Sequence, residues 1–251
     1  MIGRLPYTPA NYETTVVGGV FFHFSAQELK SHREFVQQIS QTALQVARES
    51  LSFVPSRQVH VCCYHNSEDA ARALDRRVSP TMAMAPFSSS DCGLAIIHSP
   101  RLDPMNADDL RMQRILTHEF VHLFVSETSG SSKVLGDANT NMRVSAWLNE
   151  GIAEVVGLQS IAAEERLDRM VEEYLVAQKL YEFGMLSQWL DDIDNASRQF
   201  AFTHVTAAVE WLCRSHGIRT IFHQIQRIEE FFDPLDCCSP SCLAELATIL
   251  D

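Results

Sequence analysis

Residues 116–123 read Leu-Thr-His-Glu-Phe-Val-His-Leu, and they contain two histidines four positions apart with a glutamate directly after the first. The apolar residues around them favour a helix, on which positions i and i+4 lie on one face. His118 and His122 can therefore present both imidazoles to one metal ion. Glu119 lies about 100° further round the helix, which suits a base that acts on water beside the metal. The alternative is a pair of histidines that only form hydrogen bonds inside a core helix.

Residues 147–154, Trp-Leu-Asn-Glu-Gly-Ile-Ala-Glu, supply the ligand that two histidines leave missing. Catalytic zinc usually has three protein ligands and one water, and Glu150 is the natural third ligand. Glu154 follows one helical turn later on the same face, where it can accept a hydrogen bond from the other ring nitrogen of a zinc histidine. The alternative is a solvated helix face, but the neighbouring residues are apolar and an unpaired charge among them is costly.

Composition excludes several classes of protein. The chain has 251 residues, of which 46% are hydrophobic, and a net charge of −12, which disfavours binding to nucleic acid or to an anionic membrane. No apolar run has the roughly 18 residues that span a bilayer, and we expect no signal peptide. Seven cysteines without a secretory signal predict reduced thiols and a cytoplasmic protein. The oligomeric state stays open.

The order of predicted elements indicates an α+β fold. Strand and helix signals alternate first, and only helix signals follow a long loop at 127–144. Strands are predicted at 14–24, 58–64 and 93–98, and helices at 26–49, 67–74, 106–126, 147–158, 162–183, 201–215 and 220–231. We expect Ser25, Asn106 and Ser145 to cap the helices that follow them. The result is a small N-terminal mixed β-sheet with a flanking helix, followed by a mostly helical C-terminal half.

The two motifs together resemble the gluzincin clan of metallopeptidases, and most closely its stand-alone "peptidase MA-like" type. The resemblance implies a zincin-like fold with a single catalytic domain over residues 1–251, divided into lobes at about 1–104 and about 105–251. It also implies that His118, His122 and Glu150 bind Zn²⁺ and that Glu119 is the general base. Glu154 matches the acidic residue that the clan places behind its metal ligands.

Two departures from the clan concern the substrate. Residues 90–96 do not resemble the Gly-x-Met-Glu-Asn stretch with which the M1 aminopeptidases bind an amino terminus, which weighs against an aminopeptidase. These families also place a Tyr or His some 50 to 65 residues after the third ligand, to stabilise the oxyanion, and the corresponding residues 199–204 contain no tyrosine. His204 is the candidate here and Tyr181 the second, although His204 could equally be a helix histidine without a role.

The predicted function is zinc-dependent hydrolysis of peptide bonds in a peptide or protein substrate. The strand at 93–98 would be an edge strand that pairs with the extended substrate, and the loop at 127–144 a lid. The alternative is a non-catalytic binding module that keeps the fold. Cys237, Cys238 and Cys242 lack a fourth ligand at zinc-finger spacing, so we expect free thiols there and no second metal site. Cleavage preference, and whether an end or the middle of a chain is cut, stay open.

Overall fold

A six-stranded mixed sheet occupies the N-terminal part of the chain, and helices make up most of the remainder, which confirms the predicted α+β class. The computed structural model describes residues 5–75, 83–102, 104–134, 141, 143–177, 195–232 and 240–250. Among these residues, no helix combines the length and the apolar character needed to cross a bilayer. The four cysteines whose side chains the structure describes are free thiols: Cys62, Cys63, Cys92 and Cys213.

The sheet has the strand order β1-β2-β3-β5-β4-β6. Strands β2, β3 and β5 are parallel, and the other three run antiparallel to their neighbours. The strands are β1 (Tyr12–Val17), β2 (Val20–Ser25), β3 (Gln58–Tyr64), β4 (Met84–Ser88), β5 (Cys92–His98) and β6 (Lys133–Val134). Side chains of β3 alternate between the two faces as predicted, since Val59, Val61 and Cys63 join the main core while Cys62 and Tyr64 pack with α2.

The single strand predicted at 14–24 is a hairpin. Gly18 and Gly19 form its two-residue turn, both with positive φ (57° and 82°), and Val17 pairs with Val20 across it. Two consecutive positive φ angles fit the twist of the flanking strands, and glycine reaches them without a steric cost. The two glycines interrupt what is otherwise one continuous run of β-forming residues.

The prediction that residues 93–98 form an edge strand is wrong. Strand β5 lies between β3 and β4, because Met84–Ser88 pairs with it on the outer side. Pro86 hides β4 from sequence analysis, since proline is confined to strand edges and bulges, and the pairing of β4 with β5 is indeed irregular between Met84 and Phe87. The predicted loop at 127–144 contains β6, which pairs with the end of β4. Residues 135–140 and 142 lie outside the described ranges, so a lid there stays a prediction.

The helices follow the predicted order with corrected bounds, except that the last one was not predicted. They are α1 (Lys30–Leu51), α2 (Ser67–Leu74), α3 (Asp109–Thr128), α4 (Ala146–Gln159), α5 (Glu164–Ala177), α6 (Asn195–His216), α7 (Ile218–His223), α8 (Ile225–Phe232) and α9 (Pro240–Leu250), with a 3₁₀ turn at Pro104–Ala107. The helix predicted at 220–231 is therefore two short helices, α7 and α8, interrupted at Gln224.

Two of the three predicted caps are wrong. Helix α1 begins at Lys30 with Leu29 in the cap position, because Ser25 Oγ accepts from the nearer Gln27 amide and the Glu28 carboxylate is held by two histidines. Asn106 lies in the 3₁₀ turn and donates to the carbonyl of His98, and Asp108 caps α3 instead. Ser145 does occupy the cap position of α4, although its hydroxyl donates to Glu229 (2.6 Å).

Helix α4 packs between α3 and α6, and two of its glycines allow the close approach. A Cβ at Gly157 would lie 3.3 Å from the carbonyl oxygen of Arg114 in α3. A Cβ at Gly151 would lie only 2.8 Å from the carbonyl oxygen of Val205 in α6. Large buried side chains of α3 and α4 belong to the main core, and burying one such side chain contributes roughly 1.5–3 kcal/mol; among them are Phe120, Phe124, Trp147 and Ile152. This packing fixes the position of α4 beside the histidines of α3.

Candidate metal centre

Three side chains from α3 and α4 bring one donor atom each to a common point. The Nε2 atoms of His118 and His122 lie 3.0 Å apart, with their rings nearly perpendicular. Glu150 Oε2 lies 3.2 Å from the first nitrogen and 3.4 Å from the second. Ligands about 2.0–2.1 Å from a tetrahedral zinc ion are separated by roughly 3.3 Å, so this triangle has the size of one face of such a tetrahedron. These three residues could hold a metal ion.

The outer nitrogen of each histidine is already engaged by the protein. His118 Nδ1 lies 3.2 Å from Glu154 Oε2, and His122 Nδ1 lies 2.9 Å from Asn149 Oδ1. Because both partners are acceptors, each Nδ1 carries the hydrogen and donates it. When the rings are neutral, the Nε2 lone pairs then point towards each other and towards a carboxylate oxygen. Three acceptors in such proximity repel one another, and a bound cation would remove that repulsion, so the donor set fits a metal.

Glu154 joins the centre to a cation on α3. Its second oxygen accepts a hydrogen bond from Arg114 Nη2, and the carboxylate is only 6% exposed. Burial alone would raise the pKa of Glu154, but the contacts with His118 and Arg114 outweigh it and lower the pKa to about 2. Glu154 is therefore ionised and holds the His118 ring in one orientation.

The carboxylates also draw positive charge to the histidines. Burial would lower the pKa of His118, but hydrogen bonds with Glu150 and Glu154 outweigh it and raise the pKa to about 10. Burial would raise the pKa of Glu150, yet the charge on His122 and hydrogen bonds from both histidines hold it well below its usual range. The centre therefore favours a bound positive charge, whether a proton or a metal ion.

Glu119 lies beside the ligand triangle without belonging to it. It is 6% exposed, and burial raises its pKa, although the nearby histidines act in the opposite direction. Its carboxylate borders a cavity of about 540 Å³ that also exposes His118. Glu119 can thus meet a molecule in that cavity next to the metal ligands.

We call this cavity the metal cleft. It is formed by residues of α3, α4, α5 and α6 together with Ala83, directly before β4. Its lining includes Arg114, Ile115, His118, Glu119, Glu154, Arg166, Arg198, Gln199 and Phe202. The cleft is large enough for several side chains of a ligand, within the usual 300–1,000 Å³ of small-molecule sites.

His204 is not brought to the metal cleft in the way the sequence suggests. Arg198 and Phe202 of α6 face the cleft, whereas His204 lies two residues after Phe202, about 200° further round the helix. Its ring instead packs 4.3 Å from the ring of Phe200, and burial lowers its pKa to about 4. This placement gives the oxyanion role of His204 no support. Tyr181, the second candidate, lies outside the described residues, as do Cys237, Cys238 and the side chain of Cys242.

Two residues of the centre were not identified from the sequence. Asn149 accepts a hydrogen bond from His122, and the sequence feature that could have identified Asn149 is its position directly before Glu150. Arg114 donates a hydrogen bond to Glu154. The sequence feature that could have identified Arg114 is its position four residues before His118, on the same helical face.

No protein-family model matches the chain, and no curated protein matches it either. Membership of the gluzincin clan therefore stays a prediction that rests on the two motifs.

Proposed function

We propose that the protein is a zinc-dependent hydrolase of peptide bonds. The observation that carries this proposal is the triangle of donor atoms from His118, His122 and Glu150, with the Glu119 carboxylate beside it in an open cleft. Two imidazoles and one carboxylate are a common ligand set of catalytic zinc, and three protein ligands leave a position for water or substrate. A structural zinc site would normally be closed by four protein ligands.

The roles of the protein groups follow from their positions. Bound zinc would polarise the scissile carbonyl and make water nucleophilic near neutral pH. Glu119 holds the attacking water, accepts its proton and passes that proton to the leaving amine. Glu154 and Asn149 keep the two imidazoles in the tautomer and orientation that ligation requires. The first half of strand β4 takes the place that sequence analysis gave to β5. Strand β6 pairs with β4 only at Phe87 and Ser88, and Ala83, directly before β4, borders the cleft, so an extended peptide could lie along Met84–Pro86.

The experiment combines metal analysis with digestion of a mixed peptide pool. We expect one zinc per chain, cleavage detected by mass spectrometry, loss of cleavage on chelation and recovery when zinc is returned. Glu119→Gln should keep zinc and lose hydrolysis by about 10²–10⁴-fold, because glutamine cannot accept the proton. Glu150→Gln and His122→Ala should lose zinc. Glu34→Gln, an exposed glutamate on α1, is the matched control.

Each contrary outcome has a distinct meaning. Full zinc content in His122→Ala would remove the ligand assignment. Loss of zinc in Glu119→Gln, with zinc and activity kept in Glu150→Gln, would reverse the two glutamate roles. Stoichiometric zinc with no cleavage of any peptide would replace hydrolysis by the binding-module alternative.

A further inference from the structure

Arginines are concentrated in the metal cleft of a chain that is otherwise acidic. The sequence has 20 Lys and Arg against 32 Asp and Glu, yet three separate helices each contribute an arginine to this one cavity. These are Arg114 of α3, Arg166 of α5 and Arg198 of α6. The cleft therefore differs in charge from the protein as a whole.

The three arginines have different partners. Arg114 is bound to the buried carboxylate of Glu154. Arg166 and Arg198 are exposed, and within the described part of the chain neither forms an ion pair or a side-chain hydrogen bond. The guanidinium carbon of Arg198 lies 5.6 Å from the centre of the Phe202 ring, a cation–π contact that orients the group without using its N–H donors. Glu164 and Glu165 lie close to Arg166 in sequence but do not pair with it.

Among the described residues that line the cleft, no acidic side chain offsets the charge of these two arginines. The two positive charges of a zinc ion would be offset by Glu119 and Glu150, and Arg114 is offset by Glu154. Arg166 and Arg198 remain, and they add two positive charges at the wall of a cavity in which water is partly replaced by protein. Such a cleft attracts anions and raises their local concentration.

We infer that Arg166 and Arg198 bind a carboxylate of the substrate, so that the metal cleft selects acidic peptides. This inference rests on the proposed function and adds its substrate class. Guanidinium suits the task because its planar donors match the two oxygens of a carboxylate. A cavity of this volume is roughly 10 Å across and an extended chain advances ~3.3 Å per residue, so the carboxylate belongs to a residue within about three positions of the scissile bond. It is either an acidic side chain or the free carboxyl terminus.

The test measures binding separately from cleavage. The protein is the zinc-loaded Glu119→Gln variant, which cannot turn the probe over. The probes are fluorescent randomised peptide pools with glutamate or glutamine at one fixed position, each made with a free or an amidated carboxyl terminus. We expect about tenfold tighter binding of one carboxylate-bearing pool than of its neutral counterpart. A difference between the glutamate and glutamine pools would identify the bound carboxylate as an acidic side chain. A difference between the free and amidated pools would identify it as the carboxyl terminus.

Variants then assign the preference to residues. In the same background, Arg166→Gln with Arg198→Gln should abolish the difference between charged and neutral pools, while neutral pools bind as before. Arg227→Gln, an exposed arginine of α8, is the matched control and should keep the difference. Equal binding of charged and neutral pools, or a preference that survives the double variant, would overturn the inference.

The outcomes for the two proposals separate. Cleavage by the active protein without any preference for a carboxylate would leave the hydrolase proposal standing and reject this one. A carboxylate preference that depends on the two arginines, with no cleavage by the active protein, would support this inference and reject hydrolysis.

Discussion

Asn149 Oδ1 accepts a hydrogen bond from Nδ1 of His122 at 2.9 Å, and Asn149 directly precedes Glu150 in α4. Adjacent residues of one helix thus supply a ligand atom and orient the ligand of another helix. The outer nitrogen of His118 is held by Glu154, one turn later on the same helix. Helix α4 therefore determines the geometry of all three donor atoms, although it carries only one of them.

Asn149→Ala tests this relationship. It should weaken zinc binding about 10–100-fold, because the His122 ring loses the acceptor that fixes its tautomer. Asn149→Asp should retain affinity, since a carboxylate oxygen can accept the same hydrogen bond. Competition with a chromophoric chelator measures both variants. Unchanged affinity in the alanine variant would show that packing alone orients the ring.

The two glycines of α4 predict different responses to one added methyl group. Gly151→Ala should destabilise the protein by about 1–3 kcal/mol, because its Cβ would approach a backbone oxygen of α6 that cannot move independently. Gly157→Ala meets looser contacts of 3.3–3.6 Å and gains helix propensity, so its effect should be near zero. Urea unfolding of both variants gives the comparison. Equal effects would contradict the tighter approach at Gly151.

His204→Ala tests the oxyanion role against the position of the side chain. We expect kcat and KM to stay within about twofold, because the ring lies on the side of α6 away from the cleft, whereas loss of an oxyanion donor would lower kcat by about 10²–10³-fold. Stability should fall, since the ring is buried. Steady-state kinetics per bound zinc, with thermal unfolding, separates the two effects. A large loss of kcat at unchanged KM would restore His204 as the donor.

The pair His23 and His60 predicts a loss of stability in acid. Their rings are hydrogen-bonded (Nε2 to Nδ1, 3.0 Å) and buried, and burial lowers the pKa of each to about 4. In the unfolded chain both pKa values are about 6.5, so between these values the unfolded state binds more protons. The stabilising contribution is complete above about pH 6.5 and is lost as the pH falls towards 4, by up to ~3 kcal/mol per histidine.

Urea midpoints at pH 7 and pH 4.5 measure this loss. A variant with glutamine at both positions should lose less stability over the same interval than the wild type. Other acid-sensitive groups, such as His204 and Glu28, are present in both proteins, so their contribution cancels in the comparison. An identical decline in both proteins would show that the pair does not titrate in this range.

The part of the site that the sequence could predict depends on the spacing of residues within each helix. His118 and His122 are one turn apart in one helix, and Glu150 and Glu154 repeat that spacing in another, so helical periodicity alone places each pair on one face. The distance between the two helices is a different matter. It depends on Gly157 meeting the backbone of Arg114, and no local pattern reveals which residue a glycine meets.

Long-range pairing explains the errors. Strand β4 was missed because Pro86 breaks its pattern, and that omission placed β5 at the edge of the sheet. Asn106 is a good cap by residue type, but Asp108 is nearer to the true start of α3. Arg166 and Arg198 reach the metal cleft from helices that follow the motifs by more than ten and forty residues, so only the tertiary packing brings them to it.

The tight contact at Gly151 also fixes the distance between two helices of the proposed site. Gly151 neighbours Glu150, and it meets Val205 of the helix that carries Arg198. A metal ligand and the proposed carboxylate-binding group are thus attached to two helices with no space to slide. If Arg198 binds a substrate carboxylate as inferred above, this fixed spacing of the helices would favour an acidic group within a narrow range of distances from the bond to be cut.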